Sequence, residues 1–194
     1  MTPPPPTDLS SRTARLITLE RGVILHRFYT KPFEPIFFDT RPTSRFNAPD
    51  ASFGALYAAE HPDGGFVETF LRTPGRRMVD MALVQSKGYV QLEVGRPLTL
   101  AHMDGPGLAI LGATATVTHG DVPYDVAQDW AKALYDHPAR YDGIAYSSRH
   151  DPFETCYAIF NRAEDAITET ARLSDLDIDW FWLIAEKYNA ARPS

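Results

Sequence analysis

The sequence predicts an α+β domain with a largely antiparallel sheet and flanking helices. Three observations predict it. Short apolar runs rich in β-branched residues alternate with helical segments in a mixed order, without the regular strand-helix-strand alternation of a parallel sheet. The stretches "DVPYDVAQDWAKALYDH" and "LSDLDIDWFWLIAEKYN" carry apolar residues at helical spacing. A hydrophobic fraction of 44% with 12% aromatics is enough for a packed core.

The elements follow in chain order. Residues 1–15, opening "MTPPPPT", are expected to form a disordered Pro-rich tail, and residues 16–194 a single domain ending in a C-terminal helix. "GVILHRFY" is a first strand ending near Tyr29. "TKPFEPIFFDTRPTSRFNAPDAS" is too rich in Pro, Asp and Ser to be anything but loop. "GALYAAE", bounded by Gly54 and Pro62, is a short buried strand. In "DGGFVETFLR", Phe66, Val67, Phe70 and Leu71 recur at helical spacing, with Asp63 as the expected cap. "MVDMALVQSKGYVQLEV" reads as one or two strands with Lys87-Gly88 near a turn, and "PLTLAHM" as another strand. "LAILGAT" is ambiguous between helix and strand. The helix around Trp130 buries Val126, Trp130, Ala133 and Leu134, and Pro138 lies beyond its end. "YDGIAYSS" and "ETCYAIFN" are strands joined by a turn at "RHDP".

Composition excludes several classes of function. A formal net charge of −6 argues against non-specific nucleic-acid binding by this chain. The single cysteine, Cys156, permits no intramolecular disulfide and fits a cytoplasmic location; its apolar surroundings suit a buried structural thiol. No segment approaches the ~20 apolar residues of a membrane span, and the start lacks the apolar region of a signal peptide. There is no Gly-rich phosphate loop, no two-cysteine metal site and no G-x-S-x-G elbow. The six histidines form no helical i, i+4 pair, so no metal is expected.

What remains is a set of polar residues at the ends of apolar strands: Arg27, Arg45, Tyr57, Glu68, Ser147, Ser148 and Arg149. Each also has a purely structural reading. Arg27 can be a rim residue with its stem on the sheet, Arg45 can pair with Asp50, and Tyr57 can be core with a satisfied hydroxyl. The serines can end a strand and start a turn. Glu68 is the hardest to explain structurally, because Val67 and Phe70 flank it and place it near the buried stripe of its helix. On composition and spacing alone, the reading is a small α+β domain with a possible anion site.

Three separated stretches, "HRFY" (Arg27), "SRFNAPDASFGALYAAEHPDGGFVETF" (Arg45, Asn47, Tyr57, Glu68) and "YDGIAYSSRHDPFETCYAIF" (Ser148), resemble the RES domain. The likeness runs from about Arg21 to about Arg162, in the family's order. It implies a RES-type domain with an ADP-ribosyltransferase-like fold, a split antiparallel sheet around an NAD+ cleft. It implies the toxin of a toxin–antitoxin pair, an enzyme that consumes NAD+ as substrate, with no metal. The expected partner is an Xre-family helix-turn-helix antitoxin that covers the cleft. Under this resemblance Glu68, Arg27, Tyr57 and Ser148 are the catalytic candidates. Arg45, Arg27, Tyr57, Asn47 and Ser147 are the substrate-binding candidates, with Arg41 competing with Arg45 and Ser147 with Ser148. The acceptor stays open between water, phosphate and protein. Hydrolysis or phosphorolysis of the nicotinamide–ribose bond is the first reading, protein ADP-ribosyltransfer the second, and a non-catalytic interaction module the third. The proline-rich start and the long "KPFEPIFFDTRPTS" segment depart from the family pattern.

Overall fold

The computed structural model describes residues 3–73, 75 and 78–192. Among the described residues eight strands form one sheet in the order β1-β5-β6-β7-β3-β2-β4-β8. They are β1 (Leu16–Leu19), β2 (Ile24–Thr30), β3 (Ala55–Ala59), β4 (Lys87–Val94), β5 (Leu98–His102), β6 (Gly143–Ser147), β7 (Thr155–Phe160) and β8 (Ile167–Leu173). All neighbours are antiparallel except β5 and β6. Among the described residues six α-helices flank the sheet: α1 (Pro62–Phe70), α2 (Met81–Ser86), α3 (Pro106–Leu111), α4 (Thr116–His119), α5 (Asp125–Tyr135) and α6 (Asp179–Lys187). The architecture is the α+β arrangement the sequence predicts.

The sheet is split at its middle. β2 pairs with β4 through seven residue pairs, from Ile24↔Glu93 to Thr30↔Lys87. On its other side, β2 meets β3 at the single pair His26↔Ala59. β3 instead runs its full length against β7. The two halves therefore part between β2 and β3, where a cavity opens.

The core has three parts. Trp130 and Leu134 of α5 pack with Phe46, Phe53, Ile144 and Phe160 on one face. Leu25, Leu56, Val90, Leu92 and Ile159 pack together in a second cluster. In the third, α1 and α6 bring Phe70 and Phe181 edge-to-face onto Phe28, with Phe66 edge-to-face on Phe181.

Several expectations need correction. Met81–Ser86 is a helix, not a strand: Met, Ala, Leu and Gln are good helix formers, and the Asp80 carboxylate accepts from Ala82 N at 2.9 Å to cap the first turn. Lys87 and Gly88 start β4 directly, with no turn between two strands. The cap of α1 is His61, not Asp63; Pro62 supplies the preset first helical residue, and Asp63 sits in the first turn, 2.8 Å from Lys187. "LAILGAT" resolves as helix α3, ended by Gly112 in the left-handed region at φ 83°. Leu173 belongs to β8, so the terminal helix begins only at Asp179. The N-terminal segment is packed against the body. Leu9 is buried, Trp130 Nε1 donates to Pro3 O at 3.0 Å, and Arg12 Nη1 donates to Leu111 O at 2.8 Å. Trp130 and Leu9 supply the apolar contact and hydrogen bond that offset the ordering entropy of the proline-rich stretch.

Candidate active site

The cavity between the sheet halves has a volume of about 500 Å³. Arg27 and His26 line it from β2, Tyr57 and Ala59 from β3, Glu68 and Thr69 from α1. Arg45 comes from the loop before β3, Tyr124 from the turn before α5, and Arg149 from the turn after β6. Arg72 and Lys87 complete a ring of five cationic side chains, against Glu68 as the one carboxylate among the described lining residues. A chain of net charge −6 has thus gathered positive charge around this cavity, although one of the five, Arg149, is paired with Asp121 at 2.7 Å.

Each side chain is positioned by a local cause. Arg27 Nη1 donates to Tyr57 O at 2.6 Å. That carbonyl faces the gap where β2 and β3 have separated, so the guanidinium takes the place of a ladder N–H. Arg27 Nε is buried with no hydrogen-bond partner among the described residues. Burial brings the Arg27 pKa down to about 10, so the group remains charged at neutral pH. A buried cation with an open donor is suited to hold an anionic ligand.

The Tyr57 hydroxyl is engaged within the protein. Its oxygen accepts from Phe46 N at 2.8 Å and donates to Asn47 Oδ1 at 3.2 Å, which ties β3 to the Arg45 loop. Burial pushes its pKa far up, so it stays neutral. Its ring remains on the cavity wall. Asn47 is fully buried, and its Nδ2 donates to Asp39 O at 2.7 Å and Arg41 O at 2.8 Å. All its polar atoms are engaged with the protein, so Asn47 shapes the loop and does not line the cavity.

Arg45 is fixed by donation to Gly120 O at 2.6 Å, with its guanidinium carbon 4.8 Å from the centre of the Tyr124 ring. Its rival Arg41 is held outside the cavity in a two-pronged ion pair with Asp39. The expected pairing of Arg45 with Asp50 does not form; the Asp50 carboxylate accepts from Ser52 N.

Glu68 Oε1 accepts from Ser148 Oγ at 2.6 Å. Ser148 is fully buried, and its oxygen in turn accepts from His150 N at 3.1 Å. The serine therefore joins the strand-end turn to the helix that carries the carboxylate. Ser147 points elsewhere, with Oγ 3.4 Å from His119 Nε2. His150 is held below its ordinary pKa by burial, opposed by the nearby Glu68 charge. Cys156 lies on the cavity wall, but burial and the Glu68 charge push its thiol pKa well up, which makes it a poor nucleophile. Among the described residues no group of three or more His, Cys, Asp or Glu side chains is placed to hold a metal, and no helix is long and apolar enough to cross a membrane.

Sequence reasoning missed Arg72, Lys87 and Tyr124. Arg72 lies two residues beyond the end of α1 and one turn beyond Glu68, its Nε donating to Glu68 O at 2.9 Å. That i, i+4 spacing from a candidate carboxylate was the available signal. Lys87 reaches the cavity only because β4 pairs with β2, and its ammonium donates to Thr30 Oγ1 at 2.6 Å. Burial and the nearby Arg27 and Arg72 charges lower its pKa.

A sequence model described as the RES domain matches residues 22–180. The chain belongs to the RES domain family. The match starts just before β2 and stops at the start of α6, so it contains the whole cavity wall. A solved structure, the MbcT–MbcA toxin–antitoxin complex of M. tuberculosis, contains a chain with the same fold: TM-score 0.66 at 14% identity, over 90% of this chain and 92% of that one. None of the curated proteins matches. The matched span includes the candidates Arg27, Glu68 and Ser148, and the last two are hydrogen-bonded to each other.

Proposed function

We propose that this RES domain is the toxin of a toxin–antitoxin pair and that it cleaves the nicotinamide–ribose bond of NAD+. The observation that carries the reading is one carboxylate, Glu68, set among five cationic side chains in a single cavity. Guanidinium groups can hold a pyrophosphate with paired hydrogen bonds, and Arg27 and Arg45 present two of them. Bond cleavage sends the electron pair to the pyridinium nitrogen, so nicotinamide leaves neutral and needs no acid. The ribose becomes an oxocarbenium-like cation, as in glycoside hydrolysis. Glu68 steadies that charge, and Ser148 Oγ holds its orientation. Water adding at the ribose carbon gives ADP-ribose and a proton; phosphate adding there gives the phosphorylated sugar.

The fold shared with a chain of the MbcT–MbcA toxin–antitoxin complex supports an antitoxin as partner, and the resemblance of the sequence to the RES family implies an antitoxin of the Xre family. Purified protein incubated with NAD+ should release nicotinamide, with Glu68→Ala as the background. No release above that background counts against the enzyme. Label from the adenylate half of NAD+ appearing on lysate protein, with no free ADP-ribose or phosphorylated form, would instead favour transfer to protein. Normal growth on expressing the folded protein without a partner favours a non-catalytic module.

A further inference from the structure

We propose that Gln128 is a positioning residue for Arg45, setting substrate affinity without touching substrate. The inference rests on the reading of the cavity as an NAD+ site. Residues 31–54, which carry Arg45, contain no regular element beyond the isolated bridge Asp39↔Ala55. A segment that long has large conformational entropy unless its backbone is tied down. Two buried carboxamides tie it. Asn47 Nδ2 takes the carbonyls of Asp39 and Arg41. Gln128 Nε2 takes those of Pro42 and Ser44, at 3.0 and 3.1 Å. The last of these carbonyls immediately precedes Arg45.

Gln128 is only 5% exposed and sits on the buried face of α5 beside Ala127, Ala131 and Leu134. An amide there is costly unless bonded, and an apolar residue would serve the helix as well. The two donated bonds explain its presence. They leave Arg45 Nη1 to reach Gly120 O, with its guanidinium over Tyr124. Glu68 is held independently, by α1 and Ser148. Loss of the Gln128 donors should therefore weaken substrate binding and spare the chemical step.

The experiment compares wild type, Gln128→Met, Arg45→Ala and the double variant for NAD+ cleavage, together with amide hydrogen exchange. Gln128→Met is expected to raise KM for NAD+ by about tenfold while kcat stays within about twofold. In the Arg45→Ala background the same change should add less than about twofold, because its route of action is gone. Exchange at the amides of residues 44–47 should rise, with α1 unchanged. An unaltered KM, a loss confined to kcat, or an equal loss in both backgrounds overturns the proposal. Gln128→Leu is close in size, carries no donor, and replaces the methionine variant if that one fails to fold. Absence of NAD+ cleavage in the wild type sinks the reading of the cavity instead. The exchange measurement still decides whether Gln128 holds the loop, and unchanged protection at residues 44–47 overturns that as well.

Discussion

At the scale of single residues, the Glu68–Ser148 contact joins two parts of the chain 80 positions apart with a 2.6 Å bond. Glu68→Gln keeps the shape and removes the charge. It is expected to slow nicotinamide release by about a hundredfold, equivalent to about 3 kcal/mol of transition-state stabilisation, with a smaller effect on KM. Single-turnover kinetics checks it, and equal rates in the two proteins refute it. Ser148→Ala leaves Glu68 Oε1 without its donor and removes the acceptor for His150 N. Its expected cost is about tenfold in kcat, smaller than that of Glu68→Gln because the carboxylate itself survives. Ser147→Ala, whose hydroxyl does not reach Glu68, serves as the contrast.

At the scale of elements, α1 matters because its first turn abuts the strands that flank the split. Gly64 and Gly65 are buried there. A Cβ on Gly64 would meet Glu154 Oε2 at 2.9 Å and the Ala59 Cβ at 3.1 Å. Gly64→Val is therefore expected to push the helix off β3 and to destabilise the fold by about 1–3 kcal/mol, read as a lower Tm. NAD+ turnover should fall with it, since Glu68 rides on the same helix one turn later. A Tm equal to wild type would show that the helix has room this packing does not contain. The "GG" pair was visible in the sequence, yet its reason was not: only the packed helix shows that close approach, and no left-handed turn, requires a small residue at Gly64. Likewise "MALVQS" is apolar enough for a strand, and its helical state follows from the Asp80 cap and from packing Val84 into the α1–α6 cluster.

At the scale of the whole molecule, charge is distributed against the total. An acidic chain with a cationic cavity should bind NAD+ less well as salt rises, because screening weakens attraction over about 8–10 Å. KM measured from low to high ionic strength is expected to climb while kcat changes little, and a flat KM contradicts a charge-based cavity. Stability should also depend on pH. His26, His102 and His150 are each held below their ordinary value of 6.5, chiefly by burial. The unfolded chain then binds more protons than the folded one once pH drops below that value. Their contribution is complete above pH 6.5 and is lost as pH falls through the folded values beneath it. Thermal melts should show a steady Tm above neutrality and a declining one on the acid side. A Tm that rises on acidification would be the opposite sign.

The sequence by itself determined the fold class, most of the central strands, helix α5 and the identity of the residues that could do chemistry. Apolar periodicity is a local property, and the RES resemblance rests on three short stretches, so neither needs the third dimension. It did not assign β1 or β8. β1 is only four residues long, and along β8 the exposed run Thr168–Leu173 gives no inward–outward alternation to read. Only the tertiary structure set Arg45 on the cavity wall with Arg41 outside it, and gave Ser148 and not Ser147 the bond to Glu68, because each side chain's direction depends on how the backbone turns it. It alone showed Asn47 off the cavity wall and Arg72 and Lys87 on it. Those outcomes depend on where β2 and β3 part, and a strand's separation from its neighbour is fixed by long-range pairing that no single stretch of sequence carries.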